Sequence, residues 1–420
     1  MTALAKAAEV PACRACGAAL TRTFLDLGLQ PLANAFVAPE RAGERDRLYP
    51  LHIRMCDACL LVQADAVVAP EEIFSDYPYF SSVSESWLAH CRDYAARASE
   101  RFGLDGASRV VEIASNDGYL LQYFLARSIP SLGVEPAANV AAAAVARGVP
   151  TETAFFGMGT ARRLAAQGRV ADLLIANNVL AHVPDINDFV AGLRLLLKPD
   201  GVLTVEFPHL LNLIREVQFD TIYHEHHAYL SLLAVRGLFE RQGLAIFDVE
   251  TLPTHGGSLR VYAGRAETGR VAGDAVAEIL AAETAAALDR PEGYEGFAAR
   301  VRRVREGLAD FVARTRAAGE TIVGYGAAAK GNTLLNACGL TADDIPFVVD
   351  RSPAKQGRLL PGSRIPVRPV AALLEARPDF VLILPWNLGG EIIAQLPQVA
   401  GWGGRFVTAV PEIRIHGDAR

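Results

Sequence analysis

The chain has 420 residues, 51% of them hydrophobic, and a formal net charge of −6 at pH 7. That length exceeds one simple core and predicts about two to three domains. The mildly acidic balance carries no nucleic-acid footprint, and no apolar run reaches the roughly 18 residues of a membrane span.

Six cysteines in so long a chain do not make a disulfide scaffold. Together with an N-terminus that has no signal-peptide apolar region, they predict a reducing cytoplasm and a soluble protein. Four of them form two C-x-x-C pairs, Cys13 with Cys16 and Cys56 with Cys59. Two such pairs supply the four thiolates that tetrahedral zinc prefers, with no coordination position left for catalysis. Between them, Phe24 to Asn34 reads as strand, turn and extended loop. Cys91 and Cys338 stand apart and are expected to be packing residues.

Phe74 to Ser86 is aromatic and hydroxyl-rich without clean periodicity; it reads as a linker that can present rings and hydroxyls to a ligand. A helix is expected from about Trp87 to Phe102. The run V-V-E-I from Val110 is apolar like a strand buried on both faces, and breaks at the turn Ser115-Asn116-Asp117-Gly118. Helical spacing resumes at Tyr119. This is the first unit of a nucleotide-binding α/β domain. Glu135 ends the second strand, where a carboxylate can accept from both ribose hydroxyls of an adenosine. The turn lacks the full G-x-G-x-x-G, which favours S-adenosylmethionine (SAM) over NAD. Ala171 to Leu180 is a further buried strand ending in polar residues, which puts Asn177, Asn178 and His182 at the crevice. A turn is expected at Lys198 to Gly201, and a strand from Gly201 to Pro208.

Asp220 to Tyr229 reads D-T-I-Y-H-E-H-H-A-Y. So dense a cluster beside a cofactor crevice is a candidate acid/base site, with a metal site as the rival reading. Strands follow at Ala245 to Glu250 and Ser258 to Tyr262, then a largely helical connector broken near Pro291. Thr321 to Thr333 opens a second βα unit. Gly324 and Gly326 are read there as letting backbone amides approach an anion, with Lys330 adding charge. Phe347 to Asp350 and Phe380 to Leu384 continue a second Rossmann-like sheet.

In order and number these motifs resemble the SAM-dependent sugar C-methyltransferases. They are the paired C-x-x-C, Tyr77-Pro-Tyr79, E-I-x-S-N-D-G, N-N-x-x-x-H-x-P-D, Y-H-E-H, T-H-G-G-S-L-R and G-Y-G-A-A-A-K-G. The resemblance implies an α/β fold of three parts. These are a zinc-binding domain over 1–75, a class I methyltransferase domain over 76–265 and a Rossmann-like domain over 266–420. It implies methylation at C3 of a dTDP-linked 4-keto-6-deoxysugar in deoxysugar biosynthesis; separately, a monomer is expected. The expected catalytic set is His226, Glu225, Tyr223, Tyr77 and His182, with His226 as base. SAM contacts are expected at Glu112, Ser115, Asn116, Asp117, Gly118, Glu135, Asn177 and Asn178. Substrate contacts are expected at Lys330, Tyr325 and His255, and structural zinc on Cys13, Cys16, Cys56 and Cys59. Ala114 stands where a glycine is frequent. An O- or N-methyltransferase, an NAD-dependent oxidoreductase and a non-catalytic binding module remain alternatives.

Overall fold

The computed structural model describes residues 10–65, 68–69, 72–73, 81–83 and 85–417. Tyr77, Tyr79 and most of the aromatic linker lie outside these. Among the described residues no helix is long and apolar enough to cross a membrane.

Three sheets organise the chain. The first joins β1 (Arg22–Pro31), β2 (Leu48–Met55) and β3 (Val62–Ala64) as antiparallel neighbours. β1 runs on through Gly28 to Pro31, absorbing the irregularity as register shifts against β2, and the expected turn follows it at Ala33 and Asn34. Phe24 stacks on Phe297 at 4.6 Å, packing this sheet on the helix Phe297–Ala317.

The second sheet holds β4 (Val110–Ile113), β5 (Ser131–Glu135), β6 (Thr151–Thr153), β7 (Ala171–Asn177) and β8 (Leu197–Pro208) in parallel. Its spatial order is β10-β11-β8-β7-β4-β5-β6, where β10 (Leu244–Leu252) and β11 (Ser258–Arg265) form an antiparallel edge. The order reverses between β4 and β7, so their carboxyl ends flank a crevice. The turn expected at Lys198 to Gly201 lies inside β8. Pairing with β7 jumps from Leu197 to Val202, so those residues loop out within the strand.

One short strand, β9 (Ala228–Tyr229), belongs to neither neighbour in sequence. It pairs with β3 and so adds the end of the Y-H-E-H-H run to the N-terminal sheet. Both flanks of the run are tied to Glu283, a fully buried carboxylate on the helix Asp274–Ala285. Glu283 accepts from His209 Nε2 at 2.7 Å and from the backbone N–H of Leu232 and Leu233.

The third sheet has the order β14-β13-β12-β15-β16-β17. Its strands are β12 (Ile322–Tyr325), β13 (Val348–Val349), β14 (Val367–Arg368), β15 (Phe380–Ile383), β16 (Arg405–Thr408) and β17 (Arg414–His416). Its own reversal lies between β12 and β15, where the chain leaves β12 for the helix Ala329–Ala337.

Candidate active site and metal centre

The two C-x-x-C pairs sit on matching turns. The N–H of Cys13 donates to Ala18 and that of Cys56 to Leu61, and each turn passes through a left-handed residue, Gly17 and Leu60. All four sulfurs lie within 4.8 Å of one another, with Cys13–Cys59 and Cys16–Cys56 at 3.5 Å. Zinc with Zn–S bonds of about 2.3 Å holds its sulfurs roughly 3.8 Å apart, so the cluster fits the ion. Gln63 Nε2 donates to Cys13 Sγ at 3.1 Å, as an outer-sphere donor to a thiolate does.

The carboxyl ends of β4, β5, β7 and β8 open into a cavity of about 640 Å³, within the range of small-molecule sites. Ala114, Asn116, Asn178 and His255 line it, and all have positive φ, from 48° to 56°. Strained residues of this kind concentrate where a binding surface has to be shaped. At Ala114 the backbone sits at φ of 55°, a region that glycine enters without strain.

Four of the expected SAM contacts come together on this wall: Asn116, Glu135, Asn177 and Asn178. Glu135 accepts from the N–H of Asn116 on one oxygen (3.0 Å) and of Ala137 on the other (2.9 Å), leaving each oxygen a second lone pair. Asn177 Oδ1 and Asn178 Oδ1 are buried without a protein partner, as acceptors awaiting a ligand are. The other four do not reach the wall. Glu112 points to the opposite face of β4 from Ile113, because side chains alternate along a strand. Burial there pushes its carboxyl well above the usual range. Ser115 Oγ fills the space where Gly133 lacks a Cβ. Asp117 pairs with Arg147 at 2.6 Å, and Gly118, at φ 78°, packs on Val149. These residues brace the turn rather than face the cavity. Ser81 and Ser82, from the described end of the linker, bond to Asn116 and Asp117.

His182, Tyr223, Glu225, His226 and His255 line the same cavity. The Nδ1–H of His226 donates to the Thr221 carbonyl at 2.7 Å, which leaves Nε2 to carry the lone pair. Its ring lies 4.1 Å from Tyr223 and 4.7 Å, edge to face, from His182. Burial, with Lys330 nearby, pushes the imidazoles of His226 and His255 down to about 4, and burial holds His182 well below its usual range. The neighbouring histidines diverge: His224 packs against Tyr49, and the His227 carbonyl accepts from Arg14. Among the described residues, the cysteines are the group that gathers metal ligands.

The T-H-G-G-S-L-R run builds the opposite wall. His255 meets the Trp87 ring at 5.4 Å, and Trp87 stacks on His90 at 5.0 Å. His90 contacts Glu206, which pairs across the strands with fully buried Arg260.

From the third sheet, Ala328, Ala329, Lys330 and Lys355 reach the cavity. Lys330 Nζ donates to Asn387 at 2.7 Å and lies 4.6 Å from the Trp386 ring centroid. Lys355, which sequence reasoning missed, donates to the Ala327 carbonyl and lies 3.8 Å from Asp350. Tyr325 faces away, into the cluster around Val323, Phe347 and Phe406. The glycines of this turn are spent on packing, not on an anion. A Cβ at Gly324 would meet Val348 at 2.3 Å, and one at Gly326 would meet Pro385 at 2.5 Å. Asp350 Oδ2, which in a dinucleotide site would accept from ribose, accepts instead from Ala327 N at 2.7 Å. Asn34, Phe155 and Phe156 also line the cavity and were not anticipated.

Three family profiles match in chain order. They are a domain described as zinc binding over residues 13–74, a methyltransferase domain over 87–249, and a C-methyltransferase C-terminal domain over 253–411. The C-methyltransferase NovU of Streptomyces niveus is 38% identical over 403 residues, 96% of each chain. The magnesium protoporphyrin IX methyltransferase ChlM of Synechocystis PCC 6803, solved with bound SAH, aligns over 42% of this chain and 83% of its own, at 17% identity and a TM-score of 0.34. The PH0226 protein of Pyrococcus horikoshii OT3 aligns over 48% and 100%, at 13% identity and a TM-score of 0.38.

Proposed function

The chain belongs to the SAM-dependent C-methyltransferase family, and we propose that it methylates C3 of a dTDP-linked 4-keto-6-deoxysugar. The observation that carries this reading is His226, a buried neutral imidazole whose Nδ1–H is tied to Thr221 within the cavity that also holds Glu135 and Asn116. O- or N-methylation needs no carbon acid, whereas methylation at carbon needs a base that removes a C–H proton.

A 4-keto group acidifies the hydrogen on C3. His226 Nε2 takes that proton, and the Nδ1–H bond to Thr221 holds the tautomer that leaves Nε2 basic. Tyr223, whose ring lies against His226, donates to the ketone oxygen as negative charge develops there. Glu225 binds a sugar hydroxyl, and His182 holds the edge of the His226 ring. Glu135, Asn116, Asn177 and Asn178 bind SAM. When bound, SAM supplies an electrophilic methyl carbon and keeps the C–S bonding pair on the departing sulfur. Lys330 and Lys355 give the C-terminal side of the cavity two cations for the diphosphate.

The test is NMR of the product formed from SAM and a dTDP-4-keto-6-deoxysugar. A new methyl on C3 is expected. A methyl on oxygen or nitrogen would replace this reading with the alternative.

A further inference from the structure

Asn34 follows β1 of the metal-bearing module, and no step above uses it. Its Nδ2 donates to Glu225 Oε1 across 2.6 Å, and both residues line the cavity. A hydrogen bond of that length to a carboxylate is charge-assisted and directional. The backbone that presents Asn34 is fastened nearby. The N–H of Phe36 folds back onto the Asn34 carbonyl at 2.9 Å, and Val37 exchanges two backbone hydrogen bonds with Leu359 of the C-terminal unit, at 2.9 and 2.8 Å. Asp46 pairs with Arg364 of the same C-terminal loop at 2.5 Å, and Gly362 N donates to the same carboxylate. A side chain on a strap held in this way loses little further freedom when it bonds.

We propose that Asn34 is a positioning residue that fixes the rotamer and ionised state of Glu225. Through it the metal-bearing module takes part in the active site. The proposal rests on the reading of Glu225 as a substrate-facing acid.

The test compares wild type, Asn34→Ala, Asn34→Asp, Glu225→Ala and the Asn34→Ala/Glu225→Ala double variant on a dTDP-4-keto-6-deoxysugar with SAM. SAM affinity, measured by calorimetry, reports that each variant is folded. Asn34→Ala is expected to lower kcat about 10-fold or more with the KM for SAM unchanged, and to cost less than about 2-fold on the Glu225→Ala background. Asn34→Asp keeps the shape but replaces the donor with a second carboxylate. Its activity relative to wild type is therefore expected to rise as the pH is lowered and the two acids share a proton. His182, Tyr223, His226, His255, Lys330 and Lys355 line the same cavity as the pair and are unchanged in these variants. Additive losses in the cycle, or near-wild-type activity of Asn34→Asp at every pH, would overturn the positioning role and leave the function standing. No turnover by wild type would overturn both.

Discussion

Trp386 Nε1 donates to Asp220 Oδ2 across 2.7 Å, tying the C-terminal unit to the start of the segment that carries His226. Asp220 is fully buried, and its other oxygen has no hydrogen-bond partner. Burial raises its carboxyl to about 6, against the opposing pull of Lys330 and the Trp386 bond. A folded-state pKa raised above the unfolded value near 4 gives stability that is present below pH 4 and lost as the pH rises through 6. Asp220→Asn keeps an acceptor for Trp386 and removes the buried charge. It should be more stable than wild type above pH 6 by about 1–3 kcal/mol, with the difference vanishing below pH 4. Urea melts at pH 4 and pH 8 measure this. A variant less stable than wild type at pH 8 would mean that the attraction to Lys330 outweighs burial.

Removal of the metal should be felt beyond the cysteines. Thiolate ligation contributes directly to folding, and β9 takes its partner from β3, which follows closely on the Cys56 turn. Chelation is expected to raise amide hydrogen exchange in residues 10–65 and also at Ala228 and Tyr229, leaving β4 to β7 protected. One zinc per chain is expected from elemental analysis. Protected Ala228 and Tyr229 in zinc-free protein would separate the metal from the active-site segment.

Glu135→Ala should weaken SAM by roughly 1.5–3 kcal/mol, since a carboxylate acceptor is lost to the ligand and the N–H groups of Asn116 and Ala137 lose their partner. Affinity for dTDP should not change. Calorimetry with each ligand checks both; equal SAM affinity would move the ribose contact elsewhere.

Lys330→Ala should weaken dTDP by about 1.5–3 kcal/mol, as loss of a charged hydrogen bond does, and leave SAM binding alone. Lys355→Ala should act in the same direction. Unchanged dTDP affinity in both variants would take the diphosphate away from this wall.

The sheets and the metal site were legible because buried strands and paired C-x-x-C carry their own local signals. Which residues of a turn face a ligand was less legible. Ser115 to Gly118 all looked like cofactor contacts, yet the left-handed backbone at Ala114 and Asn116 aims only Asn116 and Ala114 at the cavity. Ile113 lines the cavity and Glu112 does not, as alternation along a strand allows. Gly324 and Gly326 imitated a phosphate turn, but the atoms opposite them, Val348 and Pro385, are distant in sequence. The same holds for Asn34 and Lys355, which reach the cavity only through the packing of three units against one another. Phe155 and Phe156 follow β6, a three-residue strand too short to show periodicity.

The base assignment is tested most directly by proton exchange at C3. Wild type and His226→Asn are incubated with a dTDP-4-keto-6-deoxysugar in D₂O without SAM, and deuterium at C3 is followed by NMR. Wild type should exchange C3–H well above the uncatalysed rate. His226→Asn should fall by roughly 10²–10⁴-fold, the usual worth of a general base, while binding SAM normally. Exchange by His226→Asn at the wild-type rate would contradict the account.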